Sequence, residues 1–231
     1  MVEMLGPMPT TTPPRTGRRR PLFWVGIVLI LAGLAILGYV VWELYGTTYV
    51  SKERQQKTTT RIEKAWDSGR AAVHTDAGST STVIEIPRFG KGYRVPVIEG
   101  TSDRALSAGF GHFAGTAGPG EVGNFALAGH RITHGEPLRD LPELRSGDKI
   151  RVLTREKTYV YEFTSNGDDL VVPFTSGWVT DPVPDNPERV GVEPEQGEGQ
   201  RLITLTTCSE LFHTDNRMIA FGKLVSTEPA R

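Results

Sequence analysis

The one cysteine in the chain, Cys208, closes an apolar, β-branched run, RLITLTTC. Arg217 follows nine positions later and heads a second such run, RMIAFGKLV. Both runs read as strands, and the polar, turn-rich residues 209–216 between them read as a loop. If the strands pair as a hairpin they lie roughly 5 Å apart, so Cys208 and Arg217 are expected to face each other at the loop mouth. Alternation puts Ile203 and Leu205 on one face and Thr204, Thr206 and Cys208 on the other, which turns the thiol away from a core. A thiol beside a fixed cation is a nucleophile beside an oxyanion stabiliser. The bland alternative is that a lone cysteine is a small buried hydrophobe.

A thiol with a pKa near 8.5 needs a base or a cation to react at neutral pH, and histidine is the usual partner. The run NFALAGHR reads as a strand ending in His130, as the other ends in Cys208, so both are expected on one rim. Arg217 stays charged and can donate hydrogen bonds to a tetrahedral oxyanion. Asp215 is the candidate for an acidic third member. Three other readings use the same residues. His213 could serve as the base; His130, His134, His213 and Cys208 could hold zinc; or the chain could be a non-catalytic adhesion or scaffold domain with a core cysteine. Against zinc, the His-x-x-x-His spacing falls on a strand end and a glycine turn, not on a helix. His112 and His74 read as surface or loop residues.

These groups need a scaffold and a place. Residues 1–21 are rich in proline and threonine, include Arg18, Arg19 and Arg20, and read as a disordered tail. Residues 22–42, LFWVGIVLILAGLAILGYVVW, carry no charge and, as a helix, span roughly 30 Å, the thickness of a bilayer core. Trp24, Tyr39 and Trp42 lie near the ends, where aromatic belts belong. The run exceeds a signal-peptide core and no small-residue cleavage site follows, so it reads as an uncleaved anchor. The arginines before it put the N-terminus in the cytoplasm, and the rest of the chain outside the cell. Residues 43–82 are polar and read as a tether, with a weak helical tendency in SKERQQKTTTRIEKAWDSGR.

From residue 83 short strand candidates follow one another: VIEIPRF, YRVPVIEG, NFALAGHR, the hairpin DKIRVLT/KTYVYEFT, LVV, and the two runs around Cys208. SDRALSAG reads as a short helix and GFGHFAGTAGPGEVG as a glycine-rich loop. Lacking a Walker lysine or dinucleotide spacing, that loop is not a phosphate cradle. Residues 173–200, rich in proline, glycine and acid and containing Trp178, read as a functional loop or lid. Short strands with turn signals point to a β-barrel or sandwich of about 140 residues. The formal charge of −1 gives no bulk attraction to nucleic acid, and a single cysteine excludes an intrachain disulfide.

Taken together, TLTTC at residues 204–208, LAGHR at 127–131 and the downstream Arg217 make the chain resemble the sortases, the cysteine transpeptidases of Gram-positive cell surfaces. The resemblance covers roughly residues 83–225. The stretch GHFAGTAGPGEVGNFALAGHR is most similar to class E, the housekeeping type of high-GC actinobacteria, although ITHG after His130 and Arg131 departs from the tyrosine-containing segment common there. The resemblance implies a mostly β fold, an eight-stranded barrel with short helices, as a catalytic domain over residues 83–227. It implies Cys208 as nucleophile, His130 as general acid and base, Arg217 as the group steadying substrate and oxyanion, and Thr207 as oxyanion support. It further implies cleavage of an LPxTG or LAxTG sorting signal between Thr and Gly, and transfer of the acyl group to a peptidoglycan-precursor amine. The expected partners are surface proteins bearing that signal, the precursor and the membrane; neither a cofactor nor a metal is expected. A hydrolase using the same site is the nearest rival.

Overall fold

The computed structural model describes residues 19–189, 192–194, 197, 199–208 and 215–230, with the backbone alone at 19, 20, 43, 44 and 208. Residues 1–18 of the expected 1–21 tail, and His213, lie outside the described residues; residues 19–21 are helical. The chain divides into two units, Met1–Val41 and Trp42–Arg231.

In the first unit, α1 (Arg19–Val41) contains an apolar span, Pro21–Val41, with mean hydropathy 2.5. By length and composition it is able to cross a membrane.

The second unit begins with a π-helical turn, Trp42–Gly46, and α2 (Thr47–Asp67). The segment read as a tether with a weak helical tendency is a helix over Thr47–Asp67 with one face buried. Ser51, Gln55, Thr58, Thr59, Ile62 and Ala65 form a buried face of α2. Ile62 and Ala65 pack with Val73 and Val83, and Arg94 pairs with Glu63. A small hairpin follows, β1 (Val73–Thr75) with β2 (Gly78–Thr80).

The remaining strands build the barrel. They are β3 (Thr82–Glu85), β4 (Val95–Glu99), β5 (Phe110–His112), β6 (Gly123–Ala128), β7 (Lys149–Leu153), β8 (Lys157–Phe163), β9 (Leu170–Pro173), β10 (Arg201–Cys208) and β11 (Asn216–Pro229). They are bonded in the order β10-β6-β5-β4-β3-β7-β8-β11-β9, and a further β10–β11 pairing closes the first eight into a ring. This is the expected eight-stranded barrel; closure removes the free edges an open sheet would expose. The ninth strand, β9, shares an edge of β11 with β8: β9 takes residues 216–219 and β8 takes 222–229.

The barrel interior holds Phe110, Phe125, Leu127, Tyr161, Phe163, Ile203 and Leu205, all nearly inaccessible. Each such side chain contributes about 1.5–3 kcal/mol by leaving water. Tyr161 is buried with its polar end satisfied, its hydroxyl accepting the Gly120 N–H at 2.7 Å. Outside the ring, Val179 and Trp178 cover Ile219 and Phe221, so Trp178 packs within the fold, 6.1 Å from the Phe221 ring.

Between β4 and β5 lies α3 (Asp103–Ala108), where SDRALSAG predicts a helix; the Ser102 hydroxyl caps it by accepting the Ala105 N–H at 3.3 Å. The glycine-rich stretch is not all loop, because its first residues form β5. His112, at the end of β5, is buried instead of exposed. Its ring contacts Glu99 at 2.9 Å and Thr116 at 3.0 Å and lies edge-on to Phe125.

Candidate active site

The site is set by three neighbouring strand ends. Strand β10 lies between β6, which runs parallel to it, and β11, which runs antiparallel. Across the hairpin, Cys208 is the register partner of Arg217, as the two runs predict. On the other side the last paired positions are Thr206 and Ala128. Two residues further along each strand stand Cys208 and His130, and the Gly129 N–H still donates to the Thr206 carbonyl at 3.0 Å. With strands about 4.8 Å apart, position 208 faces Arg217 across the hairpin, and His130 follows two residues after the last β6 residue paired with β10. His130, Thr206, Thr207 and Arg217 line one groove of about 470 Å³. Leu106, Phe113, Val172 and Val179 give it apolar walls. Pro173, Phe174, Ser176, Gly177 and Thr180, at the start of the long loop, form one side.

Thr207 locks two of these strand ends together. It is 2 % exposed, and its hydroxyl donates to the Gly129 carbonyl at 2.7 Å. That bond uses the side chain's one proton, so the hydroxyl is a latch between β10 and the residue before His130, not a donor into the groove. Gly129 permits the close fit: a Cβ there would lie 3.1 Å from Leu138. Replacing Thr207 by Val removes the bond and leaves a buried carbonyl short of a partner. The expected cost is about 1–2 kcal/mol, read as a fall in Tm, with less than about a tenfold loss in kcat/KM.

His130 is half-buried. Burial pushes its pKa down to about 4, the His134 ring adds like-charge repulsion, and Asp103 on α3 acts in the opposite direction. The two imidazoles are stacked, with centroids 4.9 Å apart and planes 28° off parallel. His130 is therefore neutral near pH 7 and able to accept a thiol proton. Asp215, the acidic residue singled out in the sequence, is exposed at the entrance to β11, where its carbonyl accepts the Phe174 N–H at 2.8 Å. The carboxylate that acts on His130 is instead that of Asp103. No group of three or more His, Cys, Asp or Glu able to hold a metal occurs among the described residues.

Arg217 donates from Nη1 to the Asn216 carbonyl at 3.1 Å, and its guanidinium carbon lies 5.9 Å from the centre of the Phe174 ring. Phe174 is 61 % exposed although it lines the groove. The ring packs against the guanidinium at the edge of the groove. A cation–π contact at an exposed site is worth roughly 0.5–1 kcal/mol, so Phe174→Ala is expected to lower kcat/KM by roughly two- to fivefold in a peptide-cleavage assay.

Sequence reasoning singled out neither Phe174 nor Asp103, and it read His134 only as a zinc candidate. Phe174 and Asp103 are far along the chain from Arg217 and His130, and His134 reaches His130 only through the unusual turn that follows it. Asp103 alone carried a signal, as an acid in the first turn of a capped helix.

Residues 84–225 match the family described as "Sortase domain". The chain belongs to the sortase family. This sortase is 35 % identical over 216 residues to Sortase SrtE1 of Streptomyces coelicolor; the match covers 89 % of the chain but 57 % of SrtE1, so the chain spans less than two thirds of that relative. Sortase SrtE2 of the same organism is 29 % identical, over 92 % of this sortase and 88 % of SrtE2. The solved structure of sortase E from Streptomyces avermitilis has a TM-score of 0.58 and 37 % identity, covering 67 % of this chain and 93 % of that one. Sortase E1 from Streptomyces coelicolor, solved with a tripeptide in the active site, has a TM-score of 0.56 and 35 % identity, covering 68 % and 94 %. These relatives agree with the class E character read from the GHFAGTAGPGEVGNFALAGHR stretch.

Proposed function

We propose that the chain is a membrane-anchored cysteine transpeptidase that cuts an LAxTG or LPxTG sorting signal between Thr and Gly. The observation that carries this reading is the strand register, with Cys208 opposite Arg217 and β10 alongside β6, whose last residue, Ala128, lies two positions before His130. His130 takes the proton of the Cys208 thiol as sulfur attacks the threonine carbonyl carbon. Negative charge gathers on the carbonyl oxygen, and Arg217 meets it with guanidinium N–H donors. When the intermediate collapses the C–N bond breaks, and the imidazolium of His130 passes its proton to the leaving glycine nitrogen. A thioester remains on Cys208. The amine of a peptidoglycan precursor then attacks that carbonyl, His130 removes a proton from the amine, and the thiol leaves with a proton returned by His130. The thioester retains the acylating power of the cleaved bond, so the second step needs no nucleotide.

The peptide substrate is supported by the tripeptide in the active site of the related Sortase E1. Anchoring is supported by the span Pro21–Val41. The arginines at 18–20 support a cytoplasmic N-terminus and an extracellular catalytic domain. Surface proteins with a C-terminal sorting signal are the donors in this reading.

The test mixes the full chain in detergent with LAxTG and LPxTG peptides, with and without a glycine- or diaminopimelate-type amine. Cleavage after Thr with a ligated product is the expected result. Hydrolysed product alone, whatever the amine concentration, would make the chain a cysteine peptidase.

A further inference from the structure

The loop that follows His130 is held in a conformation it would not keep alone. It closes on itself where the Leu138 N–H donates to the His130 carbonyl at 3.0 Å. Inside it, His134, Gly135 and Glu136 have φ values of 53°, 84° and 52°. Three successive left-handed residues, two of them bearing side chains, relax unless their surroundings fix them.

Helix α2 supplies that restraint. Gln55 is 4 % exposed, and its amide donates to the His134 carbonyl at 3.3 Å. A Cβ on Gly135 would stand 2.5 Å from Gln55 Nε2, so the helix and the loop lie flush. Nearer the helix start, the Glu136 carboxylate accepts the Thr48 hydroxyl at 3.5 Å and lies 3.9 Å from Lys52 Nζ. Arg139 meets the same carboxylate at 2.9 Å. On the far side the half-buried Tyr93 hydroxyl donates to the Pro137 carbonyl at 2.6 Å. The clamped loop carries the His134 ring, which lies stacked on His130.

We propose that α2 is a positioning element of the active site: through Gln55 and the 134–136 turn it presses the His134 ring onto His130 and so fixes the orientation and hydration of that imidazole. The proposal rests on His130 being the general acid and base. The charged and titratable groups around His130 are His134 from the loop, Asp103 from α3, Arg217 from β11 and the cysteine position on β10. Of these, His134 stands on the loop that Gln55 of α2 holds. Helix α2 is thereby a working part of the catalytic unit, in place of the passive spacer its polarity predicts.

The test follows the His130 ring by NMR titration in the full chain in detergent, its signal assigned by its loss in His130→Gln. The variants are Gln55→Ala, His134→Ala and His134→Phe. His134→Ala removes both the covering ring and the like charge, so the His130 midpoint is expected to rise by about one pH unit. Gln55→Ala should move it the same way by less, and His134→Phe, which keeps an aromatic cover, should recover part of the shift. In peptide turnover His134→Ala should lower kcat about tenfold with KM little changed, as expected for a misaligned proton carrier. A His130 midpoint unchanged in both Gln55→Ala and His134→Ala would overturn the proposal. If turnover survives in His130→Gln, the acid–base reading fails instead, and the titration still reports on the clamp.

Discussion

Cys208→Ala is expected to abolish turnover while the protein melts within a few degrees of the wild type. Cys208 is the one thiol in the chain, so no second nucleophile stands in for it. It lies at the last paired position of β10, where ladder hydrogen bonds come from backbone atoms that alanine retains. Losing a covalent nucleophile removes roughly 10⁴-fold or more of the rate, because the remaining groups bind and polarise a bond that nothing attacks. Cleavage of a sorting peptide and a thermal melt, made side by side, separate this outcome from unfolding. Retained turnover would remove Cys208 from the mechanism.

His130→Gln is the second large effect, a loss of about 10²–10⁴-fold in kcat/KM, the range of a positioned acid–base group. It also alters pH dependence. The pKa of His130 is pushed down to about 4 by burial first and by His134 next. In the wild type the acid limb of kcat/KM assigned to this imidazole should therefore lie near 4, below the 6.5 of a free histidine. The same shift acts on stability. Between about pH 6.5 and 4 the unfolded chain binds a proton that folded His130 does not, so stability is lost as pH falls through that window. His130→Gln removes this contribution, and its Tm should decline less steeply between pH 6.5 and 4. Equal slopes in the two proteins would mean that His130 titrates like an exposed histidine.

The residues proposed to do the chemistry were largely legible because they lie at or just beyond the ends of strands with clear patterns. β-branched alternation over 202–207 fixed which face of β10 enters the core, and Ile203 and Leu205 are there. A hairpin that pairs the two runs leaves Arg217 little choice of partner, and the register is Cys208 to Arg217. The DKIRVLT/KTYVYEFT pair and the short α3 were equally plain.

What could not be read has physical causes. Strand β5 lies in a glycine-rich run because Gly111 passes a neighbouring backbone closely; a Cβ there would stand 2.7 Å from the Gly100 carbonyl oxygen. That close approach erases the apolar alternation a strand normally shows. Helix α2 hid its docking because most of its buried face is polar: Ser51, Gln55, Thr58 and Thr59 are inside, so no apolar stripe marks it. His112 looked like a surface residue because Glu99 and Thr116, which satisfy its ring, are assembled by the barrel. The stacking of His134 on His130 depends on backbone angles that sequence propensity disfavours.

Intact-protein mass spectrometry of the full chain, mixed with an LAxTG peptide in the absence of amine, tests the mechanism most directly. The expected spectrum shows the peptide's N-terminal part, ending in Thr, joined to the protein by a hydroxylamine-labile bond that maps to Cys208. Peptide cut between Thr and Gly at full rate with Cys208 never acylated, even on rapid quench, would contradict the covalent route.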